Sequence, residues 1–568
     1  MPNRLFYTVK LDSDFIINNN CKITGEKATF QYFKQKDKII SLADSQMLKT
    51  IRNIQHRQVD LEQLEEWYSE RDMIKRRANS PENRKRIQEL QNNIYKMMYI
   101  PEYVTVVIKN IKHYEKLFKK GFYINDKKYT RFSCSASQAR VNTVVFIDNS
   151  IKKEMQDMLN IKGMMFDENG YSIDKFAPSK YNAYFGLNSS AIRVVRTPRF
   201  CIVPDFCEND FVDVDYVIET DDFSDDEIER RTIEVEFNRF DGGGICTPQI
   251  AELWGLDLGL DYTPCQFCIR FSFAKGALNV FDILEWCKEK NDGNYIIKDI
   301  YGNDVDLREI DVILTEGQTK RWNAWASTED YLQDCLSHGF VWGITRFTPK
   351  QDDKILVTNY QFFQTLRMSD EDIKELCSQT VDYIQGVTYK NIWYTLLFML
   401  GKNMNEESLK EFMKTSDNYW LKSLICNHNL LNSKYSKEKI RDNLNKKIEQ
   451  ACIGKIMVDG NFQVLIPDSY ALMEWVCYRD KDRVKGLLGP GEVYSRFWVD
   501  RNVDRVISQR SPLTHFSECH LVDVKNSEEL SKWYKYDYTG FVVNVHDDCT
   551  MRWAGSDWDK YGNCPNIW

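Results

Sequence analysis

Residues 240–283 read FDGGGICTPQIAELWGLDLGLDYTPCQFCIRFSFAKGALNVFDI. Three consecutive glycines, Gly242, Gly243 and Gly244, stand directly before an amphipathic helical pattern. Glycine opens backbone angles closed to other residues and helix N-termini attract phosphate, so the turn is a candidate anion cradle, although glycine runs more often make plain turns. Further on, the strand-like run IRFSFAKGALNVFDI carries Lys275 and Gly276 in its middle. A lysine among Phe271, Phe273, Ala277 and Leu278 is costly to bury unless an anion meets it. A third segment, DVILTEGQTKRWNAW, puts Lys320 just after another strand-like run.

Working outward, 568 residues suffice for three or four compact units. Apolar residues make up 43% and aromatics 13%, so a large packed interior is expected and wholesale disorder is not. The net charge of −8 argues against a generally basic nucleic-acid coat but leaves room for a basic channel in an acidic body. The opening MPNRLFYTVKLDSDF has no apolar core with a cleavage site, so no secretory signal is expected. The most apolar stretch, NIWYTLLFMLG from Asn391 to Gly401, falls far short of the ~20 residues of a membrane span and reads as a buried helix of a soluble protein. Sixteen cysteines are scattered, and Cys265 with Cys268 form the lone Cys-x-x-Cys, with no second pair and no nearby histidine. They read as reduced core thiols rather than a zinc site, in a reducing cytoplasm.

Along the chain, the first forty residues alternate like short strands, and Ser45 to Met98 turns helical. Ser80 caps there, Pro81 suits the first helical position, Ile87, Leu90, Ile94 and Met97 recur at helical spacing, and Pro101 stops the run. Lys75, Arg76, Arg77, Arg84, Lys85 and Arg86 read as a solvated face in preference to a phosphate contact. Lys109, Lys112, Lys116, Lys119, Lys120, Lys127, Lys128 and Arg131 form the most basic region, where nucleic-acid backbone contact and plain solvation stand equal. The acidic run from Asp205 to Arg231 reads as an exposed loop and helix start. Strands and glycines fill Thr232 to Phe347, a helical block capped by Ser369 runs from Met368 to Gln450, and strands return from Gly454. No internal repeat of fixed period is visible. The expected division is 1–130, an N-terminal strand and helical-arm region; 131–230, a lead-in segment; 231–350, a strand-rich unit; 351–452, a helical spacer; and 453–568, a second strand-rich unit. Near the end, TMRWAGSDWDKYGNCPNIW holds Asp557 and Asp559 two apart, a spacing that can serve a divalent metal or an exposed turn.

The segment around Gly242 and Lys275 resembles the first barrel of RNA-interference-type RNA-dependent RNA polymerases and their single-chain phage homologues, a two-barrel RNA polymerase superfamily. That family's Asp-Gly-x-Gly turn, Pro-Ser-x-Phe-Gln-Ile-Arg strand and Lys-Gly pair match Asp241, Gly242, Gly244, Pro264, Phe267, Ile269, Arg270, Lys275 and Gly276. LTEGQTK resembles the second lysine segment and assigns that lysine to Lys320. ISQRSPLTHF resembles the Arg-x-Pro segment, which implies that Arg510 and Pro512 contact the incoming nucleotide's sugar, with His515 nearby. WAGSDWD resembles the start of an Asp-x-Asp-Gly-Asp metal loop, with Asp557 and Asp559 as ligands. FSCSASQARVNTVVF and PSKYNAYFGLNSSA are similar to phage-homologue segments upstream of the first barrel, so the likeness runs from about Thr130 to Asp559.

The resemblance implies an α+β fold with two double-psi β-barrels, a lysine side at 231–350 and a metal side at 453–568, separated by the helical spacer. It implies joining of ribonucleoside triphosphates on a nucleic-acid template by two-metal nucleotidyl transfer, with Mg²⁺ or Mn²⁺. Lys275, Lys320, Asp557 and Asp559 would be catalytic; Arg510, Pro512, Asp241, Gly242 and Gly244 would bind the nucleotide. RNA and DNA templates both stay open, and the implied setting is the cytoplasm of a bacterial host, with no membrane partner. A sugar-nucleotide glycosyltransferase also uses Asp-x-Asp, but it needs a βαβ nucleotide domain whose alternation is not seen before Asp557. Lys560 and Tyr561 stand where the family has Gly and a third Asp. The expectation is therefore an incomplete or frame-shifted reading frame, or a shortened inactive binder on the polymerase fold, that polymerises poorly.

Overall fold

A computed structural model describes residues 5–75, 80–162, 178–217, 228–350, 355–363, 366–388, 391–400, 406–416, 418–510, 519–546 and 565–567. The N-terminal part is a seven-stranded sheet in the order β2-β5-β6-β7-β4-β1-β3, built from β1 (Leu5–Asp12), β2 (Lys22–Ile23), β3 (Ile39–Ala43), β4 (Tyr99–Val107), β5 (Phe122–Ile124), β6 (Lys127–Ser133) and β7 (Thr143–Asp148). Helices Leu61–Lys75 and Pro81–Met98 pack together as the expected pair. The Ser80 side chain accepts from the Asn83 amide and Pro81 occupies the first turn, which fixes where the second helix begins. The other expected cap holds too: Ser369 Oγ accepts from the Asp372 amide at 3.2 Å, ahead of helix Asp370–Thr388.

Two further seven-stranded sheets dominate the rest. The first contains β8 (Arg193–Val194) and β9 (Phe200–Val203), then, after the ribbon β10 (Cys207–Val217) and β11 (Ile228–Asn238), the strands β12 (Gly243–Cys246), β13 (Gln266–Phe271) and β14 (Ala274–Val280). A small ribbon of β15 (Ile296–Lys298) and β16 (Asp304–Asp306) precedes β17 (Val312–Thr315) and β18 (Gly343–Phe347), and the sheet order is β8-β18-β13-β14-β12-β17-β9. β19 (Ile355–Val357) pairs with β20 (Met457–Asp459), closing the base of a helical excursion that includes helices Asp370–Thr388, Ile392–Leu400, Glu406–Thr415, Tyr419–Cys426 and Lys434–Cys452. The second sheet follows: β21 (Asn461–Phe462), β22 (Val464–Pro467), β23 (Glu492–Tyr494), β24 (Arg505–Arg510), β25 (Cys519–Val524), β26 (Gly540–Val543) and β27 (Pro565–Ile567), ordered β21-β27-β24-β25-β23-β26-β22.

Strand for strand in chain order, these two sheets have one topology. β9 pairs parallel with β17 as β22 does with β26, β12 pairs parallel with β14 as β23 does with β25, and every other pairing is antiparallel in both. Parallel neighbours need a crossover, and here too the halves agree. Helix Pro248–Asp257 follows β12 as Arg496–Val499 follows β23, and Ile283–Lys290 follows β14 as Glu528–Trp533 follows β25. The chain therefore contains a structural duplication.

One apolar core joins the halves, with Phe206, Ile245, Phe281, Trp286 and Ile313 from the first and Ile466, Met473, Tyr494, Trp533 and Val542 from the second. Phe281 stacks on Trp533 at 5.8 Å between centroids, and Trp286 meets Tyr470 edge-on at 5.7 Å. The equivalent helices Ile283–Lys290 and Glu528–Trp533 add crossed ion pairs, Lys290 to Glu529 at 2.6 Å and Glu289 to Lys532. A second core continues from the first sheet into the N-terminal sheet through Met47, Ile51, Met155, Phe200 and Trp254. Among the described residues no helix is long and apolar enough to cross a membrane.

Two expectations are corrected. The first forty residues read as short strands, but Ser13–Asn18 and Phe30–Gln35 are helices, the second started by the Thr29 side chain accepting from the Tyr32 amide, a cap that outweighs the alternating pattern. The acidic run was expected to be a loop and helix start, but β10 and β11 form an antiparallel ribbon paired from Cys207–Asn238 to Val217–Ile228; residues 218–227 lie outside the described set. Aspartate and glutamate are poor strand formers, which favours the loop reading, yet cross-strand pairing overrides propensity on a solvated ribbon. Thr232 donates to Asp213 at 2.7 Å, Asn209 donates to Glu234 at 3.0 Å, and Val212 lies opposite Ile233.

Candidate active site

The glycine turn, the Lys275 strand and the Lys320 segment meet at the side chain of Gln318. This residue is fully buried. Its Nε2 donates to the carbonyls of Gly242 at 3.1 Å and Ala277 at 3.0 Å, and its Oε1 accepts from the Thr315 amide at 3.1 Å. The amide thus ties the glycine turn, the Lys275 strand and the Lys320 segment into one unit. The close approach explains two glycines. A Cβ on Gly276 would lie 2.6 Å from the Gly242 carbonyl oxygen, and one on Gly244 would lie 2.6 Å from that of Ile313. Gly242 itself has φ +75°, a conformation only glycine adopts without strain, and the turn closes through the Gly243 amide to the Phe240 carbonyl at 2.8 Å.

Lys275 lies in β14 beside Ala274, which forms an isolated antiparallel bridge with Thr319, the neighbour of Lys320. The Lys320 amide donates to the Phe273 carbonyl at 3.2 Å, so the two lysines occupy diagonal positions across a single bridge. Beneath Lys320 lies a group of acids. Asp205 accepts from the Gly317 amide at 2.9 Å and from Asn238 Nδ2 at 2.6 Å. A Cβ on Gly317 would sit 2.7 Å from Asp241 Oδ1, which shows how tightly the Asp241 turn and the Lys320 segment abut. Glu316 accepts from Trp322 Nε1 at 3.1 Å. Burial, joined by the nearby charges of Glu316 and Asp241, pushes the Asp205 carboxyl up to about 6, against the Gly317 amide and Lys320, which lower it.

In the second half, β24 ends at Arg510, whose backbone pairs with Pro565. His546 Nδ1 faces Glu208 at 3.1 Å and its Nε2 faces the Val484 carbonyl at 3.1 Å. Two acceptors on one ring favour the doubly protonated imidazolium, and the Glu208 carboxylate accordingly raises the His546 pKa. Glu208 also pairs with Arg239 at 2.7 Å, so the stretch just after β26 is clamped to the base of the β10–β11 ribbon of the first half.

Of the residues expected from sequence, Asp241, Gly242, Gly244, Lys275 and Lys320 come together around Gln318. The side chain of Arg510, together with Pro512, His515, Asp557, Asp559, Lys560 and Tyr561, lies outside the described residues. Among those described, no group of three or more His, Cys, Asp or Glu side chains is arranged to hold a metal ion. The sequence reading passed over Gln318, Asp205, Glu316 and His546. A signal for Asp205 exists: Pro204–Asp205 follows β9, and Pro467–Asp468 closes its counterpart β22.

A model of the family described as RNA dependent RNA polymerase matches residues 81–536. The DNA-directed RNA polymerase YonO of Bacillus phage SPbeta is 28% identical over 444 residues, covering 76% of this chain and 47% of that protein. Among solved structures, the RNA dependent RNA polymerase QDE-1 from Thielavia terrestris matches with a TM-score of 0.45 and 14% identity, over 82% of this chain and 48% of that one. The chain spans about half the length of these relatives.

Proposed function

This chain belongs to the RNA dependent RNA polymerase family, and from that premise we propose that it takes part in template-directed RNA synthesis as a nucleotidyltransferase. The observation that carries this reading is the convergence of the Asp241 turn, Lys275 and Lys320 on Gln318. The duplicated topology supports a finer reading, in which the two sheets are double-psi β-barrels, the first built from 231–350 with β8 and β9 added from the 131–230 segment and the second from 453–568, with region 1–130 ahead of them and the 351–452 spacer between. The first barrel meets phosphates and the second supplies acids.

In this proposal a 3′-hydroxyl attacks the α-phosphate of a ribonucleoside triphosphate and pyrophosphate leaves. Lys275 and Lys320 offset the charge that gathers on the phosphate oxygens, where a preset ammonium needs no reorganisation. The turn at Gly242 and Gly244 admits close backbone approach beside Asp241, and Arg510 with Pro512 contacts the ribose. Asp557 and Asp559 are hard oxygen donors suited to Mg²⁺ or Mn²⁺. A divalent ion held by them would supply positive charge to the reacting phosphate. The partners are a nucleic-acid template and its RNA product in a host cytoplasm. The template is RNA by family, while the name of the phage relative favours DNA.

Incorporation of labelled ribonucleotides, measured on RNA and on DNA templates with Mg²⁺ or Mn²⁺, tests the reading. Synthesis lost in Asp557→Ala supports it. Template binding without synthesis points instead to a nucleic-acid binder on the polymerase fold, and transfer of a sugar to an acceptor overturns both.

A further inference from the structure

Each half places an aspartate just past an edge strand, Asp205 after Pro204 beyond β9 and Asp468 immediately after β22, and the two are used differently. Asp468 is almost wholly buried, and its carboxylate accepts from the Tyr534 hydroxyl, the Ala471 amide at 3.0 Å and the Leu487 amide at 3.3 Å. All three partners are structural. Asp205 is only partly buried, and its backbone partner is Gly317, three residues before Lys320. The facing side chains are Asp241 and Glu316, both acidic, the amide of Asn238, and Lys320, a cation that opposes them. Cys207 lies two residues further along the chain, with Glu236, Glu316 and Lys481 around it.

We infer that Asp205 is a positioning residue for Lys320: its carboxylate pins the Gly317 turn and so sets where the Lys320 ammonium stands relative to a nucleotide's phosphates. The inference rests on the proposed polymerase reading for what Lys320 meets. The physical case is that a carboxylate holding a backbone amide makes a charge-assisted bond, stronger than the bond a neutral acid or an amide makes in its place. Gly317 leaves no room for another solution, because a side chain there would strike Asp241, Asn238 and Asp205. The carboxyl pKa, pushed up to about 6, lets proton uptake weaken this hold within the range where the protein can be assayed.

The test uses the full chain and a fluorescent methylanthraniloyl-GTP probe, with wild type and Asp205→Asn titrated between pH 5 and 8. Phosphate protonation affects both proteins equally, so the ratio of their affinities is the readout. The inference expects wild type to bind about tenfold tighter at pH 7.5, as one charge-assisted bond implies, with the ratio falling toward one at pH 5. Hydrogen exchange of the peptide spanning Gly317 is expected to quicken in Asp205→Asn at pH 7.5. Asn238→Ala, which removes the other partner of Asp205, is expected to do the same to a smaller degree and serves if the first variant misfolds. A ratio near one throughout, or one that does not change with pH, overturns the inference even when exchange quickens. If wild type binds no probe while exchange behaves as expected, the polymerase reading fails and takes the role of Lys320 with it.

Discussion

The first and second sheets share strand order, pairing sense and crossover positions, yet they carry opposite equipment. After β9 the chain extends an exposed acidic ribbon, whereas after β22 it enters helix Ser469–Tyr478. Each half closes its equivalent strand with a buried amide side chain. Gln318, after β17, gathers two carbonyls and an amide around the glycine turn. Asn544, after β26, bonds the Leu488 carbonyl and accepts from the His546 amide at 2.7 Å. The lesson is that strand pairing and crossovers set the frame, while loops and a few buried polar side chains decide what each half does.

The sharpest break in this comparison comes from the paired lysines of the first half. Lys320→Ala is expected to lower ribonucleotide incorporation by about a hundredfold or more, in line with the loss of one preset electrostatic partner. Steady-state kinetics check this, and an unchanged rate would remove the lysine side from the mechanism. The joint between halves is tested next by Trp533→Ala, which deletes a side chain packed on Phe281 and Tyr470. A loss of about 3–5 kcal/mol in urea unfolding is expected, as for a large buried aromatic, with both halves melting less cooperatively.

The amide that organises the first half comes third. Gln318→Leu leaves the Gly242 and Ala277 carbonyls and the Thr315 amide without their partner, and a loss of about 3 kcal/mol follows from buried polar groups left unmade. Thermal melts measure it, and an unaltered midpoint would show that the turn holds without its amide. The smallest effect is at the clamp. Because Glu208 raises the His546 pKa in the folded protein, the stabilisation is complete below the unfolded value, about 6.5, and is lost as pH rises through the folded value. The melting gap between wild type and His546→Gln should therefore be widest near pH 6 and close toward pH 9. A gap that does not narrow would mean that the ring acts as a neutral donor.

Legibility differed by residue. Ser80, Pro81 and Ser369 announced their helices because capping is settled within one turn of chain, and each does what its position predicts. Lys275 and Lys320 stood out because an ammonium beside apolar strands needs a reason. Gln318 sits in plain view inside LTEGQTK, but nothing local distinguishes a glutamine that spans three segments from one facing water. The ribbon of β10 and β11 was missed because its acids argue against a strand until their cross-strand partners are known.

By itself the sequence determined what depends on neighbours in the chain: the caps at Ser80 and Ser369, the helical pair before Pro101, and the alternation of strand-rich and helical regions from Thr232 onward. Only the tertiary structure decided that two sheets without a visible repeat share one topology, because backbone pairing tolerates almost any side chain while a sequence repeat does not survive without identity. It also decided that Asp205 lies under Lys320 and that His546 bridges to Glu208, since such contacts join residues more than a hundred positions apart and arise only when the sheets close around a common core.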